Sequence, residues 1–122
     1  MTMIDPAPDT LAGLEARVRQ NLALLGEPPA NWVPTRPGMD VDVAIIGAGQ
    51  SGLAVAFGLQ RAGIRNIQVL DAAPTGREGP WITWARMEML RSPKEVPGPE
   101  LGIAELTFRA WYEARHGAEA YT

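Results

Sequence analysis

The chain has no cysteine and a single histidine, His116. The first absence excludes disulfides, a thiolate nucleophile, CxxC redox chemistry and Cys-ligated metal within these residues. The second leaves no histidine cluster, so no metal site is expected. Neither sign of charge dominates: the net charge is −3 over 122 residues, with charged residues at 20% and scattered. Such a balance provides no polyanion-binding surface, and no nucleic-acid partner is expected. The first residues, MTMIDPAPDT, lack the basic and apolar regions of a secretory signal. No apolar run approaches the roughly 20 residues needed to cross a bilayer. No membrane partner is expected, and a soluble cytoplasmic protein is. No unit of about 20–50 residues recurs, so a solenoid is not indicated. Hydrophobic residues make up 46%, the ordinary share for a globular chain.

What is present is concentrated between Val41 and Asp71, in VDVAIIGAGQSGLAVAFGLQRAGIRNIQVLD. Val41, Val43, Ala44, Ile45 and Ile46 form a short β-branched run, as expected of a strand buried on both faces. A G-x-G-x-x-G follows at Gly47, Gly49 and Gly52. The first glycine permits the tight turn, the second lets a pyrophosphate approach the backbone, and the third lets a helix lie close on the sheet. Gln50 or Ser51 opens that helix, whose first N–H groups and positive dipole end face the phosphates. It carries Leu53, Ala56, Phe57 and Leu59 and is expected to end at Ala62-Gly63. Asn66 to Asp71 reads as the second strand, closing on an acidic residue at the distance expected for a ribose contact. A carboxylate there repels a 2′-phosphate at close range. The nearest following basic residue is Arg77, so NADP is disfavoured at this site, while FAD and NAD both fit.

Around this unit the chain reads as follows. Met1 to Thr10 is Pro/Asp-rich and is expected to fray. Asp9 or Thr10 caps a helix with an apolar stripe at Leu11, Leu14, Val18, Leu22 and Leu25, stopped by Gly26. That stripe suits packing on the outside of the domain, and also a dimerisation helix or regulatory arm. Glu27 to Gly38 is a linker with four prolines, expected to be extended, with Trp32 as a pin to the body. After Asp71 comes a loop, AAPTGREGP. The segment WITWARMEMLRSP then shows no clean period and stays ambiguous between strand and irregular lining. Pro93 to Gly102 is turn-rich. Ile103 to Gly117 contains a helix with Thr107 as N-cap and Gly117 as stop, and His116 sits near its C-terminus as a stabilising cap rather than a catalyst.

The loop beyond Asp71 carries the remaining candidates. Gly76 and Gly79 allow a backbone to approach a flat cofactor, and Trp81 has the residue type to cover a flavin ring or to fill a core. Arg86 and Arg91 suit a phosphate or substrate anion, and equally a solvated surface. The four tryptophans imply a wide apolar surface for a planar cofactor or for a further part of the protein. A complete fold of this kind needs about five or six strands, more than can be read here, so the chain is expected to be the N-terminal part of a longer protein.

The segments GAGQSGLAVAFGLQRAG, VLDAAPTGREGPWITWARMEMLRSPK and PGPELGIAELTFRAWYEARHG resemble the N-terminal part of bacterial FAD/NAD(P)-binding flavoprotein monooxygenases. Within these they are most similar to the FAD-dependent urate hydroxylase-like group, distantly related to N-hydroxylating and Baeyer–Villiger flavoenzymes. The resemblance covers about Val41 to Gly117. It implies that Gly47, Gly49, Gln50, Ser51 and Gly52 hold the FAD pyrophosphate and that Asp71 holds the adenosine ribose. It also implies that Trp81 lies near the flavin, with Arg86 and Leu90-Arg91-Ser92 lining the cofactor or active-site side. The family usually has Glu at the ribose position, where Asp71 is one methylene shorter. The family's second glycine motif, for NAD(P)H, does not occur in these residues.

The expected fold is therefore α/β: a partial Rossmann-type FAD-binding domain, the first βαβ plus flanking helices, from a flavoprotein with two dinucleotide-binding domains. The expected organisation is residues 1–40 as helix and linker and 41–122 as the FAD-binding part. The implied function is that of an NAD(P)H-dependent flavoprotein monooxygenase hydroxylating a small substrate. An NAD-dependent dehydrogenase or reductase, and a non-catalytic dinucleotide-binding module, are the other classes that the motif admits.

Overall fold

The computed structural model describes Thr10–Thr122, and the expected frayed end before Thr10 lies outside the described residues. The chain divides into two compact units. One is Pro28–Leu90; the other joins residues up to Glu27 with Arg91–Thr122.

The first unit is built on a parallel pair of strands, β1 (Val43–Ile46) and β2 (Ile67–Leu70), in register Val43↔Ile67 through Ile46↔Leu70. Between them runs α2 (Gln50–Arg61), which packs on both strands. The α/β expectation holds at this level, a parallel two-stranded sheet with its connecting helix. Both strands are a residue or two shorter than the apolar runs suggest, as strand ends often are. Exposure alternates along each strand. Val43, Ile45, Ile67 and Val69 are half-buried on the α2 side, whereas Ile46 remains 80% exposed. The expectation of burial on both faces is thus met on one face within the described residues. Local apolarity shows that a strand is meant for cover but not which element supplies it.

The proline-rich segment is tied to the end of α2. The Trp32 indole N–H donates to the Ala62 carbonyl at 2.8 Å, and the Arg65 backbone N–H donates to Asn31 Oδ1 at 3.1 Å. Gly63 ends the helix at φ +82°, and a Cβ there would lie 3.0 Å from Ala30 O, Pro29 Cγ and Trp32 Cδ1. Glycine is therefore required both by the left-handed backbone and by the segment crossing over it. Trp32 pins the linker as its composition suggests.

In the second unit α1 (Leu11–Leu24) begins at Thr10, whose hydroxyl accepts from the Gly13 N–H at 3.1 Å. It packs against α3 (Phe108–His116) and the 3-10 turn Ala104–Leu106 that precedes it. Of the expected stripe Leu14 is buried, while Leu11 and Leu25 are exposed. Thr107 caps α3 by accepting from the Ala110 N–H, and Gly117 stops it at φ +88°. His116 lies in the last turn of α3, the position expected for a dipole role, and its ring also lies on Tyr112, with centroids 4.6 Å apart. Among the described residues the buried hydrophobic ones are Leu14, Ile103, Ala114 and Tyr121, and all lie in this unit. Tyr121 is clamped by Lys94: its hydroxyl donates to the Lys94 carbonyl at 3.0 Å, while the Lys94 ammonium donates to the Tyr121 carbonyl and sits 4.5 Å from the ring centroid. Among the described residues no helix is long and apolar enough to cross a membrane.

Candidate dinucleotide-binding site

The site is assembled where the C-terminal ends of β1 and β2 meet the start of α2. Gly47 leaves β1 at φ +107°, a conformation open to glycine. Its N–H donates to the Leu70 carbonyl at 2.7 Å, continuing the ladder into the turn. Gly49 is the N-cap of α2, and no side chain caps that helix. The first-turn N–H groups, at Gln50, Ser51 and Gly52, therefore have no side-chain acceptor supplied by the cap residue, which suits an anionic ligand. Gly52 lies against the turn so closely that a Cβ would be 1.8 Å from the Gly47 carbonyl oxygen and 3.4 Å from Ile45 Cγ2. The close helix–strand packing expected of the third glycine is thus accounted for by named atoms.

Asp71 does more than stand at the end of β2. Its Oδ2 accepts from the Ala48 N–H at 2.7 Å, and its Oδ1 from the Ala73 N–H at 2.7 Å. The first of these bonds ties β2 to the glycine turn across 23 residues of sequence. The Ala48 N–H, then the Ala73 N–H, hold the carboxyl below its ordinary value of 3.8, with slight desolvation opposing them. Each oxygen keeps a lone pair, so the exposed carboxylate can still accept from sugar hydroxyls. One side chain thereby shapes the turn and keeps acceptor capacity for a further donor.

Two consequences can be measured. Asp71→Ala should lower dinucleotide affinity about tenfold or more, since the bond that shapes the turn is lost together with the acceptor that the motif offers a ribose. An unchanged dissociation constant by calorimetry would contradict this. For pH, a depressed folded pKa means that the carboxylate's contribution is fully present above 3.8 and is lost as pH falls through the lower folded value. The Ala48 amide proton shift should accordingly stay constant from neutrality down to about pH 5. A midpoint at or above 3.8 would show that the bond is not made.

Beyond Asp71 the loop returns over the turn. Gly79 comes against Gly49: a Cβ on either would lie 3.4 or 3.5 Å from the other's Cα. A turn at Pro80 follows, whose carbonyl accepts from the N–H groups of Thr83, Trp84 and Ala85. The segment that reads ambiguously as strand or lining is therefore irregular. It borders an open cavity of ≈ 390 Å³ lined by Asp71, Arg77, Gly79, Thr83 and Trp84 among others.

Of the residues expected in the site, Gly47, Gly49, Gln50, Ser51, Gly52 and Asp71 converge on the turn. Trp81 and Arg86 lie on the same loop but do not wall this cavity. Trp81 is 52% exposed, and the exposed Arg86 guanidinium donates to the Ala85 carbonyl at 3.1 Å. Ala48, Ala73 and Thr83 escape a sequence reading, since nothing about their residue types marks them, and Trp84 is marked only as one of four tryptophans. Gly79 and Arg77 carry a partial signal, as a glycine and the first cation after the carboxylate. Among the described residues no group of three or more acidic or histidine side chains could hold a metal ion.

Comparison with known proteins points the same way. A family model described as FAD-NAD(P)-binding matches residues 44–122. The FAD-dependent urate hydroxylase of Xanthomonas campestris pv. campestris is 48% identical over 115 residues, covering 92% of this chain and 24% of its own length. The chain thus spans about a quarter of the length of that relative. No solved structure matches. The resemblance carried by the glycine, GPW and LTFRAWYEA segments is borne out by these two matches.

Proposed function

We propose a function from one premise: this chain belongs to the FAD-NAD(P)-binding family. It is a flavoprotein segment whose cofactor is FAD, the first dinucleotide-binding part of a Rossmann-type flavoenzyme with two such domains. Residues 1–40 serve as helix and linker, and 41–122 carry the FAD-binding part. The observation that carries this reading is the glycine turn itself: a helix with no side-chain cap, a Gly52 that admits no Cβ, and Asp71 locked onto the Ala48 N–H. These residues fit a pyrophosphate with a ribose diol beside it.

Gly47, Gly49 and the first-turn amides of α2 bind the pyrophosphate, and Gln50 and Ser51 present their backbone to it. Asp71 accepts from the ribose hydroxyls and orients the adenosine half. Trp81 and Arg86 stand on the loop that leads toward the flavin end. When bound, FAD would supply the redox chemistry: NAD(P)H gives two electrons, and O₂ is the oxidant, one of its atoms hydroxylating a small substrate and the other leaving as water. The whole protein is proposed to be a cytoplasmic monooxygenase, and urate is the candidate substrate that its relative's name supplies. Purification of the longer protein tests this reading. The visible absorption of oxidised flavin, bleached by NADH or NADPH without oxygen, is the expected result. A colourless preparation with NAD-dependent turnover would overturn it in favour of a dehydrogenase.

A further inference from the structure

No residue of α2 is buried, although the helix packs on both strands. Its two ends are the closely fitted places. At the first, Gly52 presses on the Gly47 carbonyl. The other end is closed by the proline-rich segment. The last carbonyls of a helix have no partner within it. Those of Gly58, Leu59 and Gln60 accept from the N–H groups of Ala62, Ile64 and Gly63. The carbonyls of Ala62 and Gly63 are taken by Trp32, through its indole N–H at 2.8 Å and its backbone N–H at 3.4 Å. The same segment grips the turn into β2. The Arg65 guanidinium donates to the Pro29 carbonyl at 3.4 Å. Asn31, whose Oδ1 accepts from the Arg65 N–H, donates to the Val33 carbonyl at 3.0 Å. Asn66 then joins that turn to the entry of β1, donating to Asp40 O at 3.3 Å and accepting from the Asp42 N–H at 2.9 Å.

An ordinary glycine stop needs only the helix's own backbone. Here a second stretch of chain is keyed onto the glycine, with atoms of Pro29, Ala30 and Trp32 each 3.0 Å from where a Gly63 Cβ would stand. Pro28 and Pro29 restrict that stretch before it docks, so less conformational entropy is lost in holding it there. It is a stiff strap. α2 has 12 residues, a rod about 18 Å long. Released at its far end, such a rod pivots on the Gly52–Gly47 contact, and its first amides turn with it. We infer that the strap of residues 29–32 sets the tilt of α2 and so aims the Gln50, Ser51 and Gly52 N–H groups, with Trp32 as a positioning residue for the phosphate cradle at the opposite end of the helix. The inference rests on the reading of the glycine turn as that cradle. The strap precedes residue 44, where the family match begins, and it is separate from both the glycine motif and Asp71.

Amide chemical shifts and ADP titration of the full chain test this on Trp32→Ala, with Trp32→Phe beside it. Both are read well below the unfolding midpoint, where a strap that only adds stability would change neither. Without ligand, Trp32→Ala should move the Gln50, Ser51 and Gly52 amide shifts. Those amides lie about a helix length, roughly 18 Å, from the substitution, beyond the reach of the lost ring's own field. The same variant should weaken ADP about fivefold. Trp32→Phe keeps a ring on Gly63 and loses the bond to Ala62, so it should fall between. If Trp32→Ala does not fold, Trp32→Phe is judged on the same two readings. First-turn amides that stay in place in a folded variant would overturn the inference. So would amides that move while ADP affinity holds, if Gly49→Val in the same titration abolishes ADP binding. ADP affinity indifferent to Gly49→Val would overturn the turn reading instead, and the amide shifts alone would then decide whether the strap sets the helix.

Discussion

Gly52→Ala should lower stability by about 3 kcal/mol or more, although Gly52 lies in a helix. Two effects oppose each other there. Replacing a helical glycine by alanine ordinarily gains about 1 kcal/mol from reduced backbone entropy in the unfolded chain. Against this, the new Cβ would lie 1.8 Å from Gly47 O and 3.0 Å from the Gly47 carbonyl carbon. Both are backbone atoms, so no side chain can rotate away. Relief requires α2 to lift from the turn, which would also break the packing of Ile45 beneath it and displace the Gly49 cap. The clash therefore outweighs the propensity. The measurement is denaturant or thermal unfolding, where the midpoint should fall well below that of the parent chain. A variant as stable as the parent, or more so, would mean that α2 does not press on the turn as described.

Gly49→Val should behave differently, leaving the fold nearly intact and removing dinucleotide binding by about a hundredfold or more. Gly49 has φ −71° and ψ −178°, a backbone that any residue adopts. Its Cβ would meet the Gly79 Cα at 3.4 Å, an ordinary contact. Folding thus tolerates a small side chain at this position. The branched methyls of valine extend further, into the space in front of the α2 N-terminus and toward Gly79, where a pyrophosphate would approach the backbone. Calorimetric titration with ADP, paired with an unfolding curve, checks both halves. Retained affinity would place the phosphates elsewhere, and loss of folding would make Gly49 a structural glycine like Gly52. Neighbouring glycines of one motif are thereby expected to fail by separate routes, one in packing and one in binding.

Much of this site is written locally. A β-branched run, a glycine turn and an apolar helix face set the order β1–turn–α2–β2, because each depends on contacts within a few residues. Asp71 is visible for the same reason, as the acidic end of the second strand. Its bond to the Ala48 N–H is less visible, since the spacing permits a ribose contact without saying that the shorter side chain reaches back to the turn. Arg77, Thr83 and Trp84 are brought to one cavity by a turn centred on Pro80, in a stretch with no period to read. The pairing of α1 with α3, and the mutual clamp of Lys94 and Tyr121, join residues far apart in sequence. Helical spacing marked the apolar positions of α1 but could not name their partner. His116 is found at the helix end that its spacing predicts, and the contact of its ring with Tyr112 one turn away is not readable from the sequence.

The glycine turn and Asp71 are proposed to grip the adenosine diphosphate half of FAD. Comparing FAD with FMN tests it most directly, since FMN carries the flavin and one phosphate but lacks the adenosine half. Equilibrium titration of the full chain should show FAD binding that ADP displaces competitively, with FMN at least about tenfold weaker. FMN binding as tightly as FAD, or FAD binding that ADP does not displace, would contradict the assignment of the glycine turn and Asp71.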